Sequence, residues 1–147
     1  MAVGERTDPY RNFNFTVEID GVTLAGFSEA SGLDLEMDIV EYREGNDPRM
    51  SVRKLSGLRK YTNIVLKRGY TDNTELFDLF RIGQNGSVAR RNGAVVMLDE
   101  DRNPIYRWEF EEGWVYKYTS AQFNASASEV AIESIEIAYE FLQVVRP

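Results

Sequence analysis

A chain of 147 residues suits one domain, and an apolar content of 43% with 12% aromatics supplies a real core. A formal charge of −7 opposes general binding to nucleic acid or to anionic membrane surfaces, which needs clustered Lys and Arg. With no cysteine and no histidine, the chain lacks disulfides, thiolate chemistry, the usual neutral-pH acid–base group and the commonest metal ligand.

Residues 1–9 hold no apolar run, so no secretory signal is expected. No stretch approaches the ~18 apolar residues that span a bilayer. Phe13, Phe15, Val17 and Ile19 alternate with polar residues, the period-2 pattern of a strand with one buried face. Asp20-Gly21 then signals a type I′ hairpin turn, and Val22, Thr23 and Leu24 begin the return strand. Leu33, Leu35, Met37 and Ile39 alternate with Asp34, Glu36 and Asp38, a strand with an acidic face. The parity flips at Val40 and Tyr42, which places a bulge near Ile39 and Val40. Residues 43–49 read as a turn. Residues 51–60 are basic with scattered leucines and fit either a mobile surface loop or an ordered loop that folds against another subunit.

Residues 61–66 resume strand character. Asp72 or Thr74 can cap one short helix, with Asp72 and Glu75 at capping-box spacing; Leu76, Phe77, Leu79, Phe80 and Ile82 form its apolar face, and Gly83 its C′ position. Residues 94–98 are continuously apolar, as in a strand covered on both faces. Residues 99–104 read as a turn, 105–110 as a strand, and 114–118 as a short aromatic segment. In 135–142 a helical stripe competes with strand alternation; β-branched and aromatic enrichment favours the strand. The chain reads as mainly β: a small antiparallel barrel or sandwich with one short α-helix.

No constellation of residues suggests chemistry. Asp99, Asp101 and Asn103 begin like a calcium loop, but Pro104 stands where glycine is needed and Phe110 where glutamate is needed. Glu109, Glu111 and Glu112 read as a solvated acidic face. Gly83-Gln84-Asn85-Gly86 lacks the context of a phosphate loop. The pairs Lys67-Arg68 and Arg90-Arg91 read as surface or interface ion pairing. No enzyme, cofactor or metal site is expected.

Several blocks in order resemble the conserved-tail-region family of contractile phage tail tube proteins. They are residues 8–21, with Asp8-Pro9-Tyr10-Arg11-Asn12-Phe13; Gly26-Phe27-Ser28-Glu29-Ala30-Ser31-Gly32-Leu33; Glu41-Tyr42-Arg43-Glu44-Gly45; Arg53-Lys54-Leu55-Ser56-Gly57, with Ser56 in place of proline; Leu66-Lys67-Arg68-Gly69; and 107–137, beginning Arg107-Trp108-Glu109-Phe110. Departures are Val115 and Tyr116 after Trp114, Thr119-Ser120-Ala121 in place of a Gly-Pro turn, and Tyr139 where histidine is frequent.

The resemblance implies a single tail-tube domain over 1–147, assembling into hexameric rings that stack inside a sheath. It implies an N-terminal arm at 1–12 and an inter-ring loop at 44–61. The implied partners are further copies of the chain, a sheath protein, baseplate or tube-initiator and terminator proteins, and DNA or effector cargo in the lumen. The subunit itself is not expected to bind membranes, and is expected to be made in a bacterial cytoplasm and assembled into a phage tail or injection particle. Arg49, Arg53, Lys54, Leu55, Leu58, Arg59 and Lys60 are the expected inter-ring contacts. Asp34, Glu36 and Asp38 are expected to face the lumen, with the apolar side of their strand on the core. The alternative to a tube subunit is a monomeric β-sandwich carbohydrate-binding module, with Trp108 and Trp114 stacking on sugars.

Overall fold

The computed structural model describes residues 14–24, 26–43, 45, 48, 51–81, 90–121, 123, 125–126 and 130–147. Its elements begin with a hairpin, β1 (Phe15–Ile19) and β2 (Val22–Leu24), turned by Asp20 and Gly21. Both turn residues have positive φ, 54° and 82°, as a type I′ turn requires. The chain continues through β3 (Phe27–Ser31), β4 (Leu35–Tyr42), β5 (Arg53–Tyr61), β6 (Ile64–Gly69), α1 (Glu75–Arg81), β7 (Arg91–Leu98), β8 (Pro104–Thr119), β9 (Ile132–Ala138) and β10 (Phe141–Val145).

The segments expected at 105–110 and 114–118 are one strand, β8, of 16 residues. It bends at Glu112, whose φ is 57°, and Gly113. A Cβ on Gly113 would lie 2.6 Å from the Phe110 ring, so only glycine lets that ring lie across the bend. The bend folds one eight-stranded sheet into two layers. Before it, β8 runs between β7 and β10; after it, β8 pairs with β9. The first layer is therefore β2-β1-β7-β8-β10 and the second β8-β9-β6-β3, all antiparallel.

The layers bury Val17, Ile64, Leu66, Val95, Phe110, Ile135 and Ile137 between them, and Leu76 of α1 joins this core. β7 is covered on both faces, as its apolar run predicts: Val95 points into the main core, while Ala94, Val96 and Leu98 are buried on the other side. The described helix covers Leu76, Phe77, Leu79 and Phe80 of its apolar pattern, and Ile82 and Gly83 lie outside the described residues. Asn73 and Thr74 organise its start. The Asn73 side chain accepts from the Glu75 N–H at 3.2 Å, and the Thr74 carbonyl accepts from the Asp78 N–H at 2.9 Å. Glu75 is drawn away from a capping box with Asp72 because its carboxylate takes Arg68 at 3.0 Å. The tail is a strand, as its β-branched content indicated, broken at Tyr139 and Glu140 opposite the bend in β8.

The stretch at 53–61 is a strand, β5. It pairs with β4 as a separate two-stranded ribbon whose contacts run overwhelmingly within itself. The bulge lies in β5 and not in β4, where the parity flip near Ile39 and Val40 puts it: Gly57 and Leu58 together oppose Asp38.

Candidate assembly interface

The two layers differ in how their edges point. In β8-β9-β6-β3 each strand opposes its neighbour, so with four strands the edge strands β8 (residues 114–119) and β3 run in opposite directions. In β2-β1-β7-β8-β10 there are five strands, and the edges β2 and β10 run the same way. These edges carry unpaired backbone donors and acceptors among the described residues, a standing template for another chain.

The outward face of the four-stranded layer is polar and ion-paired. Lys117 on β8 meets Glu136 on β9 at 3.1 Å, and Tyr116 donates to the same carboxylate at 3.1 Å. Lys67 on β6 meets Glu29 on β3 at 3.6 Å. Ser31, Val65, Thr119 and Ser134 fill the positions between. Lys67 makes the surface ion pair expected of it, but Lys117, Glu136 and Glu29 carry no such signal along the chain, and only the strand order brings the four onto one face.

The β4–β5 ribbon extends β3 and β6 beyond the layered body. The joint is the stretch 32–34 against 62–63, where the Thr62 hydroxyl donates to the Gly32 carbonyl at 2.7 Å and accepts from the Asp34 N–H at 3.2 Å. Gly32 has φ 84°, and a Cβ there would overlap the Asn63 carbonyl, so the joint admits only glycine.

The expected site residues come together on this ribbon. Glu36 faces Lys60 and Glu41 faces Lys54, while Asp38 bonds Lys60 at 2.8 Å. That contact holds the Lys60 ammonium above its ordinary pKa, through its hydrogen bond and charge. The acidic row and the basic row, expected to serve different surfaces, are thus partners across one ribbon. Arg53, Lys54, Leu55, Leu58 and Arg59 are exposed on it, and Arg49 lies outside the described residues, as does the arm at 1–12. The apolar residues of β4 do not sit on the chain's own core, as their alternation suggested. Leu35, Met37, Ile39 and Val40 are exposed, because β4 leaves the layered body at Gly32 and, among the described residues, has no second layer beneath it. Leu58 is 79% exposed at the bulge.

One cation expected at the surface is interior. Arg68 is 2% exposed, stacked 5.6 Å from the Phe27 ring, with Nη1 on Glu75, Nη2 on Asn73 at 3.2 Å, and Glu133 3.5 Å away. Tyr118 donates to Glu133 at 2.7 Å, and burial raises its phenol pKa. This network ties α1 to β6, β8 and β9. Neither tryptophan forms an open sugar platform: Trp108 packs on the main core and Trp114 contacts Tyr116 edge-on. Among the described residues, no cluster of three or more acids could hold a metal ion, and no helix is long and apolar enough to cross a membrane.

The fold has known counterparts. A chain of the extended-state PVC sheath–tube complex of an extracellular contractile injection system superposes with a TM-score of 0.84 at 24% identity, covering 95% of this chain and 93% of that one. A chain of the anti-feeding prophage tube-terminating cap gives 0.87 at 22% identity over the whole of both chains. Hcp1 from Flavobacterium johnsoniae is a more distant likeness, with a TM-score of 0.53 at 16% identity over 90% and 95%. Among curated proteins no match is found. A family model described as T4-like virus tail tube protein gp19 matches residues 11–143, nearly the full length, and the chain belongs to that tail tube family.

Proposed function

We propose that this chain is the repeating subunit of the inner tube of a contractile tail or injection particle, six copies closing a ring and rings stacking. The family match supports the tube role, and the direction of the sheet edges carries the mode of closure. Rotation about a ring axis preserves the direction of every strand along that axis. The four-stranded layer therefore meets its next copy β3 against β8 in antiparallel pairing, and repeats without a break. The five-stranded layer would meet its copy through parallel edges, one of them the three-residue β2. Closure also removes the exposed edges of the four-stranded layer, as in a barrel.

In this arrangement the four-stranded layer lines the lumen. The ribbon, eight residues long in β4 and so about 26 Å at ~3.3 Å per residue, reaches along the strand direction to the next ring. Leu55 and Leu58, with Arg53, Lys54, Arg59, Lys60 and Arg49, form the inter-ring contact. Asp34, Glu36 and Asp38 lie at the lumenal mouth, where Lys60 pairs with Asp38 and faces Glu36. The sheath surrounds the ring, baseplate and terminator proteins bound the tube, and DNA or effector cargo passes through it. Negative-stain microscopy of the purified protein over a concentration series tests this: six-fold rings or tubes are expected. A monomer at every concentration, even with a baseplate-containing lysate, would overturn the reading.

A further inference from the structure

Resting on that reading, we infer that the conduit wall is charge-balanced by its own cross-strand ion pairs and passes polypeptide cargo of either net charge without holding it. Across the four strands the wall carries Lys117, Glu136, Lys67 and Glu29, alternating in sign. Closure of β3 on the next copy's β8 puts Glu29 and the next Lys117 on adjacent strands, so the strand-to-strand alternation of sign continues round the ring. Each acid is within ion-pair distance of a base inside one subunit, at 3.1 Å for Lys117–Glu136 and 3.6 Å for Lys67–Glu29. The other positions on this face are uncharged: Ser31, Val65, Thr119, Ser134 and Ile132, with Trp114 and Ala138 at one end.

A concave wall of one sign would focus its field into the lumen and select cargo. Opposite charges about 3 Å apart cancel within a Debye length of ~10 Å at 0.1 M salt. The chain's net charge of −7 is therefore carried off this face. A polyphosphate, with charge of one sign at every step, is the cargo that an acidic wall would keep sliding by repulsion. A polypeptide of mixed charge needs no such field, and the balanced wall suits it.

The chain has no cysteine, so Ser134→Cys places a single thiol in the middle of this face, between Lys67 and Thr119. Assembled tubes, verified by microscopy, are treated separately with a cationic and an anionic methanethiosulfonate reagent, and each rate is normalised to free cysteine. The two normalised rates are expected to agree within about threefold, and Lys67→Glu with Lys117→Glu to favour the cationic reagent by ~tenfold or more. A tenfold cationic preference in tubes lacking those two substitutions would mark an acidic wall suited to nucleic acid and overturn the inference. Protection of the thiol in tubes but not in free subunits would place this face between copies and overturn it too. Thr119→Cys, exposed on the same face, decides the matter if Ser134→Cys does not assemble. Failure of the unsubstituted protein to form tubes would instead refute the subunit reading.

Discussion

Leu58 should contribute to stacking while contributing almost nothing to the folded subunit. Its side chain is 79% exposed at the ribbon bulge, and full burial of a leucine is worth ~1.5–3 kcal/mol. Covering what remains exposed would yield ~1–2 kcal/mol per subunit, and six ribbons would yield on the order of 10 kcal/mol per ring contact. Ordering and association costs take back part of this. At ~1.4 kcal/mol per factor of ten, the ~1–2 kcal/mol lost per subunit means that Leu58→Ser should raise the critical subunit concentration for tube elongation by roughly 5- to 30-fold. The subunit's own melting temperature should stay within ~2 °C, since exposed substitutions change stability by less than ~0.5 kcal/mol. Sedimentation of tubes across a concentration series reads the first quantity and thermal unfolding of the free subunit the second. The ribbon's charges face each other, Glu36 with Lys60 and Glu41 with Lys54. Raising salt from ~0.1 to ~0.5 M should therefore move the critical concentration by less than ~threefold. An unchanged critical concentration for Leu58→Ser would refute the apolar account, and strong salt sensitivity would restore an ionic one.

The interior and the ribbon joint supply three more tests. Glu133→Ala leaves buried Arg68 with Glu75 and Asn73 alone and should cost ~3 kcal/mol, lowering the melting temperature by roughly 6–12 °C; Arg68→Met with Glu133→Leu should recover most of it. The Tyr139 hydroxyl is buried without a hydrogen-bonding partner among the described residues, so Tyr139→Phe should leave stability unchanged or raise it by ~1 kcal/mol in denaturant titration. Burial, reinforced by Tyr61 and Asp34, pushes that phenol up to about 12. Its contribution is thus fully present below the unfolded value of ~10 and lost as pH rises towards 12, so the native protein should lose more stability over that range than Tyr139→Phe. Gly32→Ala, which forces a Cβ onto the Asn63 carbonyl at φ 84°, should yield little soluble protein or a subunit unable to stack.

Local signals told most of the fold. The Asp20-Gly21 turn, the doubly covered strand at 94–98 and the strand character of 135–142, though not its break at Tyr139 and Glu140, all arise from patterns within a few residues of one another. What stayed hidden depends on pairing between distant segments. Residues 53–61 show no clean period because their order comes from facing β4, not from an apolar face of their own. The apolar side of β4 looks like core by alternation, and nothing local reveals that the chain leaves the body at Gly32. Arg68 reads as a surface cation because Glu133, its cross-strand neighbour, is 65 positions away in sequence. The ion-paired wall is invisible for the same reason.

Helical reconstruction of assembled tubes by electron cryomicroscopy, at a resolution that separates strands, tests closure most directly. We expect β3 of each copy hydrogen-bonded antiparallel to residues 114–119 of the next, with Lys67, Glu136 and Lys117 facing the lumen. Rings joined through β2 and β10, or a lumen lined by the five-stranded layer, would contradict it.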